Sequence, residues 1–266
     1  MKKEVLTNFD LLQKGDLVLL LGTPLFFNAP LQEKLQKSEV ETVYMNPIDY
    51  KSTSLQFSQY IKYEVGSEEG ICALLLHYFV QNCTPEIQAF IDDLDMGYLS
   101  AETSIGEEEL EAIVEKSNLV SNTYVVLSLD LLGHKKAQNI IKMLGVLNQY
   151  SPLKLIIQNG CSTALERINS YVNESLDEVE ELDSFDGTVI CKNAQIEKNL
   201  LLGGVSFSKI AKINEGESVN IKFDDQVIQR VFKIDTNLQG TIALCSHEEI
   251  KSMAYSYKQV KIEKVD

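Results

Sequence analysis

The sequence predicts an α/β fold: an open, mostly parallel sheet with helices on both faces, followed by a smaller β-rich, barrel-like carboxyl-terminal domain. Three observations predict it. Leu17-Val18-Leu19-Leu20-Leu21 is a continuous apolar run of strand length, as found in strands buried on both faces. Strand-like and helix-like segments then alternate along the first two thirds of the chain. After Gly187 helical periodicity fades, and short β-rich runs separated by turn residues take over. The predicted domains are 1-186, α/β, and 187-266, β-rich.

Taken in order, Lys14-Gly15-Asp16 turns the chain into the first strand and Gly22-Thr23-Pro24 ends it. Pro30 opens a helix to Lys37, because its fixed φ suits a first helical position, and Thr42 to Met45 reads as a second strand. Ser67 is a candidate N-cap for a helix whose Ile71, Leu74, Leu75, Tyr78 and Phe79 share one face. Pro85 starts a shorter helix. Ser104 and Glu107 have capping-box spacing ahead of Leu110, Ile113 and Val114, and Tyr124 to Leu129 is β-rich. A helix follows Gly133 with Ala137, Ile140, Ile141, Leu144 and Leu147 at helical spacing, and Leu155 to Ile157 supplies a further buried strand. Beyond it, Thr188 to Ile190, Val219 to Phe223, Val227 to Ile234, Thr241 to Leu244 and Val260 to Val265 read as strands.

At 266 residues and 44% hydrophobic content the chain can bury a sizeable core. No apolar run approaches the ~18 residues of a membrane span, and no signal-peptide apolar segment follows Met1, so the expected location is the cytoplasm. A net charge of -15 repels phosphate backbones and anionic headgroups, which argues against nucleic acid and direct membrane insertion. The strongest acidic block holds Glu174, Asp177, Glu178, Glu180, Glu181, Asp183 and Asp186 with no Lys or Arg between them. It reads as a solvated loop or as a contact surface for a basic partner.

Cys72, Cys83, Cys161, Cys191 and Cys245 form no C-x-x-C pair, so reduced, mostly buried thiols are expected. His77 and His247 lie in contexts that supply no converging ligands, and no metal site is expected. Asp92, Asp93 and Asp95 read as a solvated helix face. The loop after the first strand, with Gly22, Thr23 and Asn28, sits where an open α/β sheet presents ligands, yet it lacks Gly-x-Gly-x-x-Gly. Asp130 and His134 follow a later strand, where a carboxylate could orient an imidazole, but no nucleophile elbow accompanies them. These five residues form the alternative, ligand-binding reading.

Several segments resemble one family in order. Asp16-Leu17-Val18-Leu19-Leu20-Leu21-Gly22-Thr23-Pro24 resembles a strand leading into a G-T/S-N-P-like turn, and Val65-Gly66-Ser67-Glu68-Glu69-Gly70-Ile71 a P-G-T/S-D/E-x-A-I/L helix start. Leu129-Asp130-Leu131-Leu132-Gly133-His134-Lys135-Lys136-Ala137-Gln138-Asn139-Ile140 resembles G-E-D-L-x-x-H-x-x-A-x-N-I/L. Gly216 to Ile221, Asp235 to Ile242 and Val260 to Glu263 resemble the strands of a carboxyl-terminal barrel. The chain so resembles the molybdopterin oxidoreductase family. Within it, the resemblance is to a truncated form of the large molybdopterin-oxidoreductase-like subunit of bacterial NADH-quinone oxidoreductase, complex I, of the epsilonproteobacterial kind.

The departures shape what the resemblance implies. The family's amino-terminal cluster cysteines have no counterpart, and neither do the segments that grip two pterin nucleotides. The expectation is a cofactor-free accessory subunit of the complex I peripheral arm, held at the cytoplasmic face of the inner membrane by iron–sulfur and other partner subunits. A nucleotide- or pterin-binding oxidoreductase domain is the alternative.

Overall fold

A computed structural model describes residues 3–51, 56–157, 162–171, 174–246 and 253–265. The chain forms two units, Met1–Pro47 with Ser54–Asp183, and Ile48–Thr53 with Ser184–Asp266. The first holds β1 (Leu17–Leu21), α1 (Ala29–Ser38), β2 (Glu41–Met45), β3 (Gln59–Ile61), α2 (Glu68–Phe79), α3 (Pro85–Asp92), α4 (Met96–Thr103), α5 (Glu107–Leu119), β4 (Thr123–Leu127), α6 (Asp130–Gly133), α7 (Ala137–Tyr150), β5 (Lys154–Ile156) and α8 (Ser162–Asn169). Its sheet is parallel throughout, in the order β3-β2-β1-β4-β5.

β1 lies at the centre, pairing Leu17 to Leu21 with Glu41 to Met45 on one side and Thr123 to Leu127 on the other. The pleat sends Leu17, Leu19 and Leu21 to one face and Val18 and Leu20 to the other, where two separate apolar clusters receive them. That is why the run is apolar without alternation. Parallel crossovers are right-handed, so a chain that reverses its direction across the sheet must change faces. The connection from β1 to β2 puts α1 on the face of Val18, with Leu31 and Leu35 against Tyr44 and Val126. The return from β3 to β4 and on to β5 puts α2, α5 and α7 on the other face. Leu6 bridges to Ile156 and covers the outer edge of β5.

Two expected caps are corrected. Ser67 precedes α2, but its hydroxyl turns back to donate to the Glu64 carbonyl at 2.7 Å and caps nothing, since its backbone at φ -91°, ψ 11° is not the extended form of a capping residue. Ser104 adopts a left-handed conformation and ends α4, so the start of α5 falls to Gly106, whose N–H donates to Glu109 Oε2 at 2.9 Å. The helical face expected of α2 also widens: Gly70, Cys72, Ala73 and Leu76 are as buried as Ile71 and Leu74.

The second unit holds β6 (Val189–Lys192), β7 (Leu200–Gly203), α9 (Val205–Ala211), β8 (Ser218–Phe223), β9 (Gln226–Ile234), β10 (Ile242–Cys245), β11 (Tyr257–Gln259) and β12 (Lys261–Lys264). Its seven-stranded mixed sheet runs β11-β6-β10-β7-β9-β8-β12. The two edge strands are separated by Val260 alone, so the sheet curls into a half-barrel to bring its ends together. Val219, Ile221 and Phe223 alternate inward on β8, and Phe232 stacks on Phe207 at 6.0 Å within the enclosed core. Ile48–Thr53 joins this unit through Tyr50, which bridges to Leu238 and donates its hydroxyl to Asp235 Oδ2 at 3.1 Å. No helix among the described residues is long and apolar enough to cross a membrane.

If β1 is the hub of the first unit, Leu19→Ala will cost about 2–5 kcal/mol of stability, since Leu19 is wholly buried. Leu119→Ala, at a site 86% exposed, will stay within about 0.5 kcal/mol. Equilibrium urea unfolding followed by circular dichroism reads both.

Candidate functional site

In an open parallel sheet the ligand crevice opens at the carboxyl ends of the two strands where the chain reverses direction. Here those strands are β1 and β4, and the segments leaving them carry Gly22 and Ser128. Gly22 has φ +71°, and a Cβ there would lie 2.9 Å from the Tyr63 hydroxyl and 3.1 Å from Ser128 Cβ. Glycine is required both for the backbone turn and for this close approach. The strand end is thus closely approached by Tyr63, a fully buried ring, and by Ser128, whose hydroxyl accepts from the Asp130 N–H at 3.1 Å.

Behind them sits a buried polar group that spacing alone does not bring together. Glu68 and Glu69, both 1% exposed, occupy the first turn of α2, where carboxylates answer the positive end of the helix dipole. His134 is buried as well. The Lys136 N–H donates to its Nδ1 at 3.0 Å, so Nε2 carries the proton and donates to the Gly66 carbonyl at 3.0 Å. A carboxylate that sequence spacing does not suggest, that of Glu68, faces the ring with Oε2 3.7 Å from Nε2, while Asp130, the partner expected from spacing, accepts from the Ser128 hydroxyl at 3.3 Å. Burial drives His134 below the usual imidazole range despite the Gly66 bond. Burial likewise raises the Glu69 carboxyl, and raises the Tyr63 phenol with help from Glu68 and Asp130.

The first loop is equally engaged in its own structure. The Gly22 N–H donates to the Met45 carbonyl, the Leu25 N–H to the Tyr44 hydroxyl, and Gln32 Nε2 to the Leu25 carbonyl. Asn28 Oδ1 accepts from the Leu31 N–H at 3.2 Å, capping α1, and Pro30 removes a second amide that could have gripped an anion. Thr23 Oγ1 is buried with no hydrogen-bond partner among the described residues.

The acidic segment is neither a loose loop nor a plain charged surface. From Leu176 to Asp183 it runs as a strap, neither helix nor strand and bent at Glu181, with a repeat of three. Leu176, Val179 and Leu182 turn inward to the core of the first unit. Asp177, Glu180 and Asp183 pair with Lys142, Lys136 and Lys135 of α7 and the segment leading into it. Glu178 and Glu181 point outward and make no ion pair among the described residues. Three residues per turn is the period of an extended polyproline-like chain. Asn139 clamps the main chain, donating to the Asp177 carbonyl and accepting from the Asp177 N–H, each at 2.9 Å, while also donating to Glu69 Oε1 at 2.8 Å. The Leu182 N–H donates to the Tyr98 hydroxyl, and its side chain fills the notch left by Gly70, where a Cβ would lie 2.6 Å from Leu182 Cδ1. Glu174 precedes the strap, exposed, its carbonyl accepting from the Tyr171 hydroxyl at 2.8 Å.

Of the remaining candidates, His77 is exposed and edge-on to Tyr78, Asp95 caps α4, and Asp92 accepts from Gln88. Cys72, Cys191 and Cys245 are buried and Cys83 is half-buried; burial pushes the Cys72 thiol up and keeps it unreactive. Cys161 and His247 lie outside the described residues. Among the described residues no three His, Cys, Asp or Glu side chains converge as a metal site. No protein-family model matches the chain, and no curated protein matches it significantly.

Asn139→Ala will remove partners from both main-chain groups of Asp177 and from Glu69, costing about 2–4 kcal/mol and speeding proteolysis within the strap. Lys142→Met, which breaks a partly buried ion pair with Asp177 and a bond to the Ser175 carbonyl but leaves the Asn139 clamp intact, will cost less, about 1 kcal/mol. Denaturant midpoints and limited trypsin–Glu-C digestion separate the two.

His134 also sets a pH dependence. Its folded form resists protonation, so below the ordinary imidazole pKa of 6.5 the unfolded chain binds more protons, and the stability present in full above that pH falls as pH drops. The slope is at most about 1.4 kcal/mol per pH unit. Glu69 contributes with the opposite sign, so the expected result is the difference: His134→Gln flattens the loss between pH 7 and 5 (roughly the imidazole window), read by urea unfolding at each pH.

Proposed function

We propose that this chain is a cofactor-free accessory subunit that docks in a respiratory NADH-quinone oxidoreductase, in the peripheral arm of complex I on the cytoplasmic side of the membrane. One observation carries the proposal: at the switch point the chain's own side chains approach the end of β1 so closely that only glycine fits at position 22. Tyr63 and Ser128 close on Gly22, where a cofactor would need room. Of the two helix starts nearby, α1 is capped by Asn28, and α2, which has no side-chain cap, carries the negative charge of Glu68 and Glu69 in its first turn. The buried Glu68 carboxylate acting on Tyr63 disfavours a pyrophosphate, which needs donors and positive potential. A scaffold whose sheet needs no ligand to complete it suits a positional role, holding redox centres carried by iron–sulfur neighbours.

A second reading, a nucleotide- or pterin-binding oxidoreductase domain using Gly22, Thr23, Asn28, Asp130 and His134, is favoured by the unsatisfied Thr23 hydroxyl. The two separate cleanly. Tagged in its own host and drawn from detergent-solubilised membranes, the chain is expected to bring iron–sulfur subunits with it in near-equal amounts, and to give no calorimetric heat with NADH or a pterin. Recovery as a lone monomer overturns the subunit reading; saturable heat with either ligand establishes the second.

A further inference from the structure

Beside the strap, α3 and α4 leave a cleft of about 260 Å³ between themselves and the chain from Leu176 to Val179. Its lining sets the apolar side chains of Phe90, Leu94 and Val179 beside the exposed carboxylates of Asp93, Asp95 and Glu178. The volume lies below the usual range of small-molecule sites, roughly 300–1,000 Å³, and suits one large side chain. The charges divide by role. Asp177, Glu180 and Asp183 are neutralised by lysines of the same unit, whereas Asp93 and Glu178 make no ion pair among the described residues and face the cleft. Carboxylates held around an apolar recess without a cation of their own complement a basic segment that inserts an apolar side chain.

We infer that this cleft is the docking point for a partner protein, taking a large apolar side chain flanked by Lys or Arg; the inference rests on the reading of the chain as a docking subunit. The partner's apolar group displaces water from Phe90 and Leu94, and its cations meet Asp93 and Glu178. The outward row of the strap extends the acidic rim through Glu181, so the third face of the triplet repeat belongs to the interface rather than to the fold.

The test uses the full chain, isotope-labelled, titrated with acetyl-Arg-Lys-Phe-Arg-Lys-amide and followed by amide shifts. Saturable binding is expected, with the largest shifts in residues 90–99 and 176–179. The double substitution Asp93→Asn with Glu178→Gln should weaken it by about tenfold at low salt, and replacing the peptide's Phe with Gly should do so by a similar factor. Asp95 is left intact because it caps α4; an unchanged urea midpoint shows that the variant folds. Equal affinity of variant and wild type, indifference to the Phe, or shifts spread over the acidic surface would each overturn the cleft as the docking point. Failure here beside intact co-purification moves the partner elsewhere on the chain and leaves the subunit reading standing. Cleft binding without co-purification keeps the docking point and removes the respiratory assignment.

Discussion

Five residues, Leu17 to Leu21, constrain the first unit more than any others. A strand hydrogen-bonded on both sides and apolar on both faces can only sit at the centre of a sheet covered twice, and the parallel pairing then dictates crossovers of one hand. From that follow the placement of α1 on one face, the passage of α2, α5 and α7 over the other, and the reversal of the chain between β1 and β4. The reversal creates a crevice in any fold of this kind. In this chain Gly22 lets a tyrosine and a serine approach the end of β1 closely, and the first turn of α2 carries buried carboxylates.

Much of this was legible from residue pattern because burial writes itself into periodicity. The apolar run of β1, the three-to-four spacing in α7 and the alternation in β8 and β9 are direct consequences of which faces meet water. Elements without such a contrast were missed. β3 is three residues long and lies at a sheet edge; β7 and α9 meet at Gly203-Gly204, which read as punctuation between strands. The last β-rich run, Val260 to Val265, holds β12 as expected, but β11, three residues just ahead of it, has no such signal, and the two pair with different strands, β8 and β6. Pairing partners are a tertiary fact that local pattern does not hold.

The candidate site divides in the same way. Gly22, Asp130 and His134 stand out by position, yet a carboxylate facing His134 comes from α2, a helix start far from it in sequence. Glu68, Tyr63 and Ser128 carried no signal, because their convergence depends on three separate connections reaching one strand end. The strap did carry one. Leu176, Val179 and Leu182 recur every three residues inside the acidic block, a period belonging to neither helix nor strand, and recognising it would have separated the structural acids Asp177, Glu180 and Asp183 from the outward Glu178 and Glu181.

If the chain is the proposed cofactor-free accessory subunit, its contribution to a redox assembly is the shape and charge it offers its neighbours. Native mass spectrometry of the chain released from its own host's membranes tests this most directly. The account predicts the mass of the bare polypeptide, 29.9 kDa, with no retained adduct. A flavin, nucleotide, pterin or metal carried through in stoichiometric amount would contradict it.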